Sequence, residues 1–229
     1  MLPDLLVIGD SHSDALADGC AAHGLRVEML RFSGNIWHSG QVVFHAQHGI
    51  WVRGLPGMQK QVLALRERLG GRSVISADVP VLAAMGYHMG RIVPPFSANG
   101  HVTDAADFAA DAGSAYVSRA MVGAYVDAFR ANHVRLARRM SRHGNMTLVA
   151  PPHAFARRNF PAFAEALTGR MRAAGVRVFD PAPELCPPGA PLDADYLLPD
   201  GVHGNARYGA AVIGLLLQRG LIRAPGCAA

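Results

Sequence analysis

The sequence predicts an α/β fold, a three-layer α/β/α sandwich around a central five-stranded parallel sheet of the flavodoxin-like kind. Short apolar runs recur along the chain, and each is followed by a helical pattern or a long connection, as expected for parallel strands joined by crossovers. Polar residues with chemical potential gather where those runs stop, the edge at which open α/β sheets bind ligands. Half of the 229 residues are hydrophobic and 17% are charged. One core can therefore be buried, and a single domain over residues 1–229 is expected.

LLVIG (5–9) reads as a buried central strand, because five apolar or small residues run without alternation. A helix over 13–23 and a second strand, LRVEMLR (25–31), follow. PVLAAMG (80–86), MTLVAPP (146–152) and VRVFD (176–180) supply the remaining strands. Helical periodicity places helices at 58–69, 115–142, 162–174 and 206–217. The long 115–142 helix pairs a buried stripe with a solvated face. Two segments break the alternation. Residues 36–55 carry three histidines and both tryptophans, and 91–113 contain Pro, Gly and Asp with weak periodicity. Both are expected to be loop insertions, and connections of that length usually act as lids or binding loops.

The net charge is +5, yet arginines such as Arg26, Arg66, Arg119 and Arg138 are scattered. No basic stripe interleaved with aromatics appears, so nucleic acid is not an expected partner. Three cysteines, Cys20, Cys186 and Cys227, form neither a disulfide framework nor a zinc ribbon and are expected to be reduced thiols. The first strand begins almost at Met1 without a basic n-region, and no apolar run reaches the length of a spanning helix. A soluble cytoplasmic protein is expected, with export from a trimmed precursor as the alternative.

The chemistry concentrates at the two ends of the chain. In VIGDSHSD (7–14), Ser11 stands just past a strand and just before a helix, at the carboxyl edge of the sheet. It can serve as a nucleophile if a base takes its proton. In LLPDGVHGNARYG (197–209), Asp200 and His203 lie three residues apart before an apolar helix opened by Asn205. One turn can hold the aspartate against one imidazole nitrogen and leave the other for Ser11. Asp and Asn are equally ordinary helix caps, so the spacing alone leaves both readings open.

GDSHS (9–13) together with DGVHGNARYG (200–209) resembles the first and last blocks of the SGNH hydrolase superfamily, related to the GDSL esterases. The resemblance spans almost the whole chain, with five strands between the blocks. It implies Ser11 as nucleophile, His203 as general base and then acid, and Asp200 as its orienter. FSGNI (32–36) resembles the second block, which implies that the Gly34 N–H joins that of Ser11 in an oxyanion hole. The third block departs from the family: where an asparagine is usual, MGYHMG puts His88. A neutral imidazole can donate one N–H. Otherwise the hole has two donors, Asn35 substitutes, or the protein binds without turnover.

The implied activity is that of a serine esterase or acyltransferase, acting on a small acyl ester of a carbohydrate or other polar acceptor and needing no cofactor or metal. Asp10, Asn35 and Trp37 are candidate substrate contacts, and Trp37 and Trp51 can stack on a sugar ring or, equally, pack within a lid. His38, His45, His48 and His101 are expected at loop surfaces or against substrate. Two rivals remain. GDSH also resembles the DxH block of metallophosphoesterases, with Asp10 and His12 as ligands, although the further ligand blocks of that family are missing. The altered third block also suits a non-catalytic glycan- or acyl-binding module, which would have no need of Ser11, Asp200 and His203.

Overall fold

The computed structural model describes residues 2–90, 92–152, 159–187 and 190–223. In chain order the first part forms β1 (Leu5–Gly9), α1 (Ser13–Ala22), β2 (Val27–Arg31), α2 (Gly34–His38), β3 (Val42–His45), β4 (Gly49–Val52), α3 (Pro56–Arg68) and β5 (Val81–Ala84). The second adds α4 (Val93–Ala98), β6 (His101–Val102), α5 (Ala105–Ala110), β7 (Ala115–Tyr116), α6 (Arg119–His143), β8 (Met146–Val149) and α7 (Phe160–Ala173). The chain then forms β9 (Arg177–Phe179), α8 (Ala182–Leu185), a 3-10 turn at Ala194–Tyr196, and α9 (Ala206–Gln218).

Five strands form one parallel sheet in the order β2-β1-β5-β8-β9. Successive strand residues point to opposite faces, and each face has its own core. Leu6, Ile8, Val81, Ala83 and Leu148 pack with α3, α6 and α7, whereas Leu5, Val7, Leu82 and Val149 pack with α1 and α9. Helices thus cover both faces, which is why the inner strands β1, β5 and β8 are buried throughout, while the edge strands β2 and β9 carry the charged residues Glu28, Arg31 and Arg177. The chain leaves β1 toward β2 and later returns to its other side as β5. The carboxyl ends of β1 and β5 therefore bound the crevice that such a switch opens.

The two segments expected as loops carry structure of their own. Residues 36–55 hold the end of α2 and an antiparallel hairpin in which Val42 faces Val52 and His45 faces Gly49. The 91–113 segment holds α4, β6 and α5, the last capped by Asp104, whose side chain accepts the N–H groups of Ala106 and Asp107. The helix expected from 115 starts instead at Arg119. Ala115 and Tyr116 pair with His101 and Val102, and Ser118 caps the helix by accepting the Met121 N–H. Cys20 is buried against α9, and Cys20 and Cys186 are free thiols; Cys227 lies outside the described residues. Among the described residues no helix is long and apolar enough to cross a membrane.

Helices α1 and α9 meet through glycine. A Cβ on Gly209 would lie 1.7 Å from the carbonyl oxygen of Ala15, and one on Gly19 would lie 2.2 Å from that of Gly209. The backbones touch, and the His23 Nε2 closes the contact at 2.9 Å from the Ala210 carbonyl oxygen. Helix propensity alone predicts that Gly209→Ala stabilises by about 1 kcal/mol. The contact predicts the opposite sign: urea melts of Gly209→Ala will show a loss of about 1–3 kcal/mol, because the helices must separate to admit the methyl group.

Candidate active site

The turn after β1 is built by close approach. Gly9 has φ +150°, and a Cβ there would sit 2.0 Å from the Ala84 carbonyl oxygen, so only glycine lets the chain leave the sheet beside β5. The Asp10 N–H then donates to Ala84 and its Oδ1 accepts the His12 N–H at 3.1 Å, which closes the turn and leaves Ser11 half-buried at its tip. Burial pushes the Asp10 carboxyl up to about 6, against the pull of the His12 N–H. Asp10 is a turn residue, 4% exposed, and does not line the cleft beside Ser11.

The other half comes from the loop before α9. Asn205 caps that helix through the Tyr208 N–H, and its amide donates to the carbonyls of Asp195 and Leu197. Asp200 Oδ1 accepts the N–H groups of Val202 and His203, at 2.8 and 3.0 Å. Its Oδ2 lies 2.6 Å from His203 Nδ1. These bonds, led by the His203 N–H, hold the Asp200 carboxyl well below the usual carboxylate range although the side chain is 47% exposed. An ionised carboxylate only accepts, so Nδ1 carries a proton and Nε2 of a neutral ring is left with a lone pair. That nitrogen is 2.7 Å from Ser11 Oγ. Ser11, His203 and Asp200 thus form a continuous relay between residues 192 apart in sequence. Such a relay can draw a proton from a hydroxyl and stabilise the resulting imidazolium.

Gly34 opens α2, with Ser33 before it in extended conformation. A Cβ on Gly34 would lie 2.7 Å from the Cβ and Cγ of His88, so the glycine is what lets the α2 end and the loop after β5 touch. Ser11, Gly34, Asn35 and His88 all line one cleft of about 330 Å³, together with Arg31, Phe32, Met58 and Gln61. Arg31 is tied to Asp14 by an Nε–Oδ1 contact of 3.0 Å.

Trp37 is a correction to the sequence reading. It is 2% exposed and packs on Phe32 at 5.4 Å between ring centroids, so it belongs to the core and cannot stack on substrate. Trp51 is 41% exposed on the β3–β4 hairpin. His38 is not a surface residue either: its ring nitrogens are buried and it packs edge-on to His133 at 5.3 Å. Asp10 and His12, the pair considered as metal ligands, belong to no group of three or more His, Cys, Asp or Glu side chains placed to hold a metal among the described residues. His12 lies against His203 instead, with ring centroids 4.7 Å apart.

The sequence reading missed Arg31 at the cleft and two buried polar residues, Arg130 and His133, beneath it. Arg130 and His133 stand one turn apart within the buried stripe of α6. Polar residues inside an apolar stripe were the signal that would have found them.

No protein-family model and no curated protein sequence matches the chain. Solved structures do. The periplasmic domain of a lipopolysaccharide acetyltransferase from Salmonella ser. Paratyphi A matches with a TM-score of 0.50 at 8% identity, over 94% of this chain and 82% of that one. A psychrotrophic esterase from Pseudoalteromonas sp. matches with 0.47 at 14% identity, over 95% and 97%. A lipase/acylhydrolase from Enterococcus faecalis matches with 0.42 at 14% identity, over 97% and 99%. At such identities the likeness is one of fold.

Burial lowers the pKa of His12 and His133 to about 4 and that of His38 further. An unfolded chain protonates these rings near 6.5 while the folded chain does not, so their contribution to stability is lost as pH falls from about 7 toward 4. Asp10 acts in the opposite sense: the folded state takes its proton near pH 6, the unfolded state only near 3.8, which adds stability on acidification through that range. Three histidines against one carboxyl leave the unfolded state about two protons ahead near pH 5. Urea melts are expected to show stability falling between pH 7 and 5, and His12→Leu is expected to flatten the slope.

Proposed function

We propose that the protein is a serine-dependent esterase or acyltransferase of the SGNH type, moving a small, acetyl-like acyl group from an ester through an acyl-Ser11 intermediate. The observation that carries this reading is the unbroken relay from Ser11 Oγ through His203 to Asp200, at 2.7 and 2.6 Å. His203 Nε2 takes the Ser11 proton as Oγ attacks the ester carbonyl, and Asp200 stabilises the imidazolium. The tetrahedral oxygen is held by the N–H groups of Ser11 and Gly34, with the His88 imidazole as the third donor in place of an asparagine. Collapse of the intermediate expels the alcohol, which takes the proton from His203. Water or a second hydroxyl then attacks the acyl-serine as His203 acts again as base.

The cleft supports a short acyl group. At about 330 Å³ it lies at the small end of ligand sites, with Phe32 and Met58 offering apolar surface and Asn35 and Gln61 offering hydrogen bonds to a polar acceptor such as a carbohydrate. The fold likeness to an acetyltransferase domain is consistent with transfer as well as hydrolysis.

A fluorophosphonate probe is expected to label Ser11 and to leave Ser11→Ala unlabelled. A folded wild-type protein that takes no label would favour the binding module. Among p-nitrophenyl esters of graded chain length, acetate should be turned over best. Activity abolished by chelator and restored by Mn²⁺ or Zn²⁺ would instead favour metal chemistry at Asp10 and His12. Asp200→Asn is expected to lower kcat by about 10²-fold or more, since the amide cannot stabilise the imidazolium. Steady-state kinetics at neutral pH measures this directly.

A further inference from the structure

Arg130 is 5% exposed and His133 is 1% exposed, one turn apart on α6. Burying a guanidinium is costly unless its donors are satisfied. Arg130 donates from Nε to the Gly86 carbonyl at 3.2 Å, from Nη2 to the His88 carbonyl at 2.5 Å, and from Nη1 to the Phe129 carbonyl at 3.0 Å. Two of these three acceptors belong to the loop that follows β5 and carries His88. No carboxylate partners the charge among the described residues, so the guanidinium is matched to carbonyl dipoles of that loop.

His133 reaches the other wall of the cleft. Its Nδ1 lies 3.2 Å from the Trp37 carbonyl in α2, the helix that Gly34 opens. A carbonyl only accepts, so Nδ1 carries the proton. The opposite edge of the ring sits on Gly86, which has φ +98° and where a Cβ would lie 2.5 Å from His133 Nε2. One imidazole therefore touches both loops, and Arg130 ties down the same one at Gly86 and His88. Between them stands the direct contact of Gly34 with His88.

We propose that Arg130 and His133 are positioning residues that set the separation of Gly34 and His88, the two walls of the oxyanion site. This rests on the reading of the cleft as an acyl-transfer site. Neither side chain touches substrate: α6 acts as a bracket beneath the cleft, one residue binding the His88 loop and the other binding α2 and buttressing that loop. Burial depresses the Arg130 pKa only to about 10, so the bracket stays charged at neutral pH. Burial keeps His133 neutral, and the Trp37 carbonyl selects the tautomer that carries its one proton on Nδ1.

The test uses the full chain and p-nitrophenyl acetate. R130M retains bulk and removes the donors; it is expected to lower kcat by about 10²-fold through displacement of the His88 loop, with KM changed less than about threefold. R130K, which keeps a cationic donor, is expected to fall between. H133F removes the bond to Trp37 and should lower kcat, whereas H133N keeps a donor near the Nδ1 position and should recover most of it. A residue that only stabilises the fold would not couple to His88. In an H88A background, R130M is expected to cost less than about twofold further. If R130M does not fold, R130K and the H133F and H133N pair carry the same comparison. The inference is overturned if wild type turns over ester while R130M keeps kcat within about twofold, if the R130M and H88A losses multiply, or if H133N is as poor as H133F. Absence of turnover and of Ser11 labelling in wild type would overturn the acyl-transfer reading itself.

Discussion

The backbone contact between α1 and α9 is the constraint on which the site depends. Ser11 lies two residues before α1 and His203 three before α9, so the relative placement of these helices sets the distance from Oγ to Nε2. Gly19 and Gly209 remove the side chains that would otherwise hold the helix axes apart, since interaxial distance follows the residues at the contact. The apolar face of α9, with Val212, Ile213 and Leu216, packs against the same layer as Leu16 and Cys20 of α1. Core packing and relay geometry are therefore the same contact seen at two ends.

The two aspartates near Ser11 divide along an electrostatic line. Asp10 is buried, accepts one backbone N–H, and is a weak acid; Asp200 is exposed, accepts three hydrogen bonds from the His203 loop, and is a strong one. Hydrogen bonding to the charged form outweighs everything else at Asp200, while desolvation dominates at Asp10. A permanently ionised group belongs beside an imidazole that must gain a proton, and a turn needs only an acceptor. Behind His88 the side chains of His38, His133 and Arg130 form a buried polar group whose histidines are kept neutral by burial.

The inner strands β1, β5 and β8 were legible because each is a short run buried on both faces, whereas the edge strands β2 and β9 carry charged residues and were legible from their place in the alternation with helices. Ser11 was legible as a candidate because strand-end positions carry chemistry in such sheets, and the roles of Asp200 and His203 were legible only through the resemblance of GDSHS and DGVHGNARYG to SGNH blocks. What escaped depended on long-range contact. A glycine inside a helix pattern reads as a weak point, and nothing local to Gly19 or Gly209 says that each faces another backbone. Trp37 read equally as a platform for a sugar ring or as packing within a lid, and the short α2 turns it inward onto Phe32. Residues 36–55 read as a loop insertion because they do not fit the alternation of strand and helix, and the pairing of Val42–His45 with Gly49–Val52 makes part of them a hairpin. Ala115 read as helix until its bond to Gly100 and the Ser118 cap set the boundary.

Acid-quenched mass spectrometry of the protein during turnover of p-nitrophenyl acetate asks the central question without relying on an inhibitor. A single acetyl group on Ser11, formed as fast as the first turnover and absent from Ser11→Ala, is the expected result. Continued turnover with Ser11 unmodified, or activity that survives in Ser11→Ala, would contradict acyl transfer through the Ser11–His203–Asp200 relay.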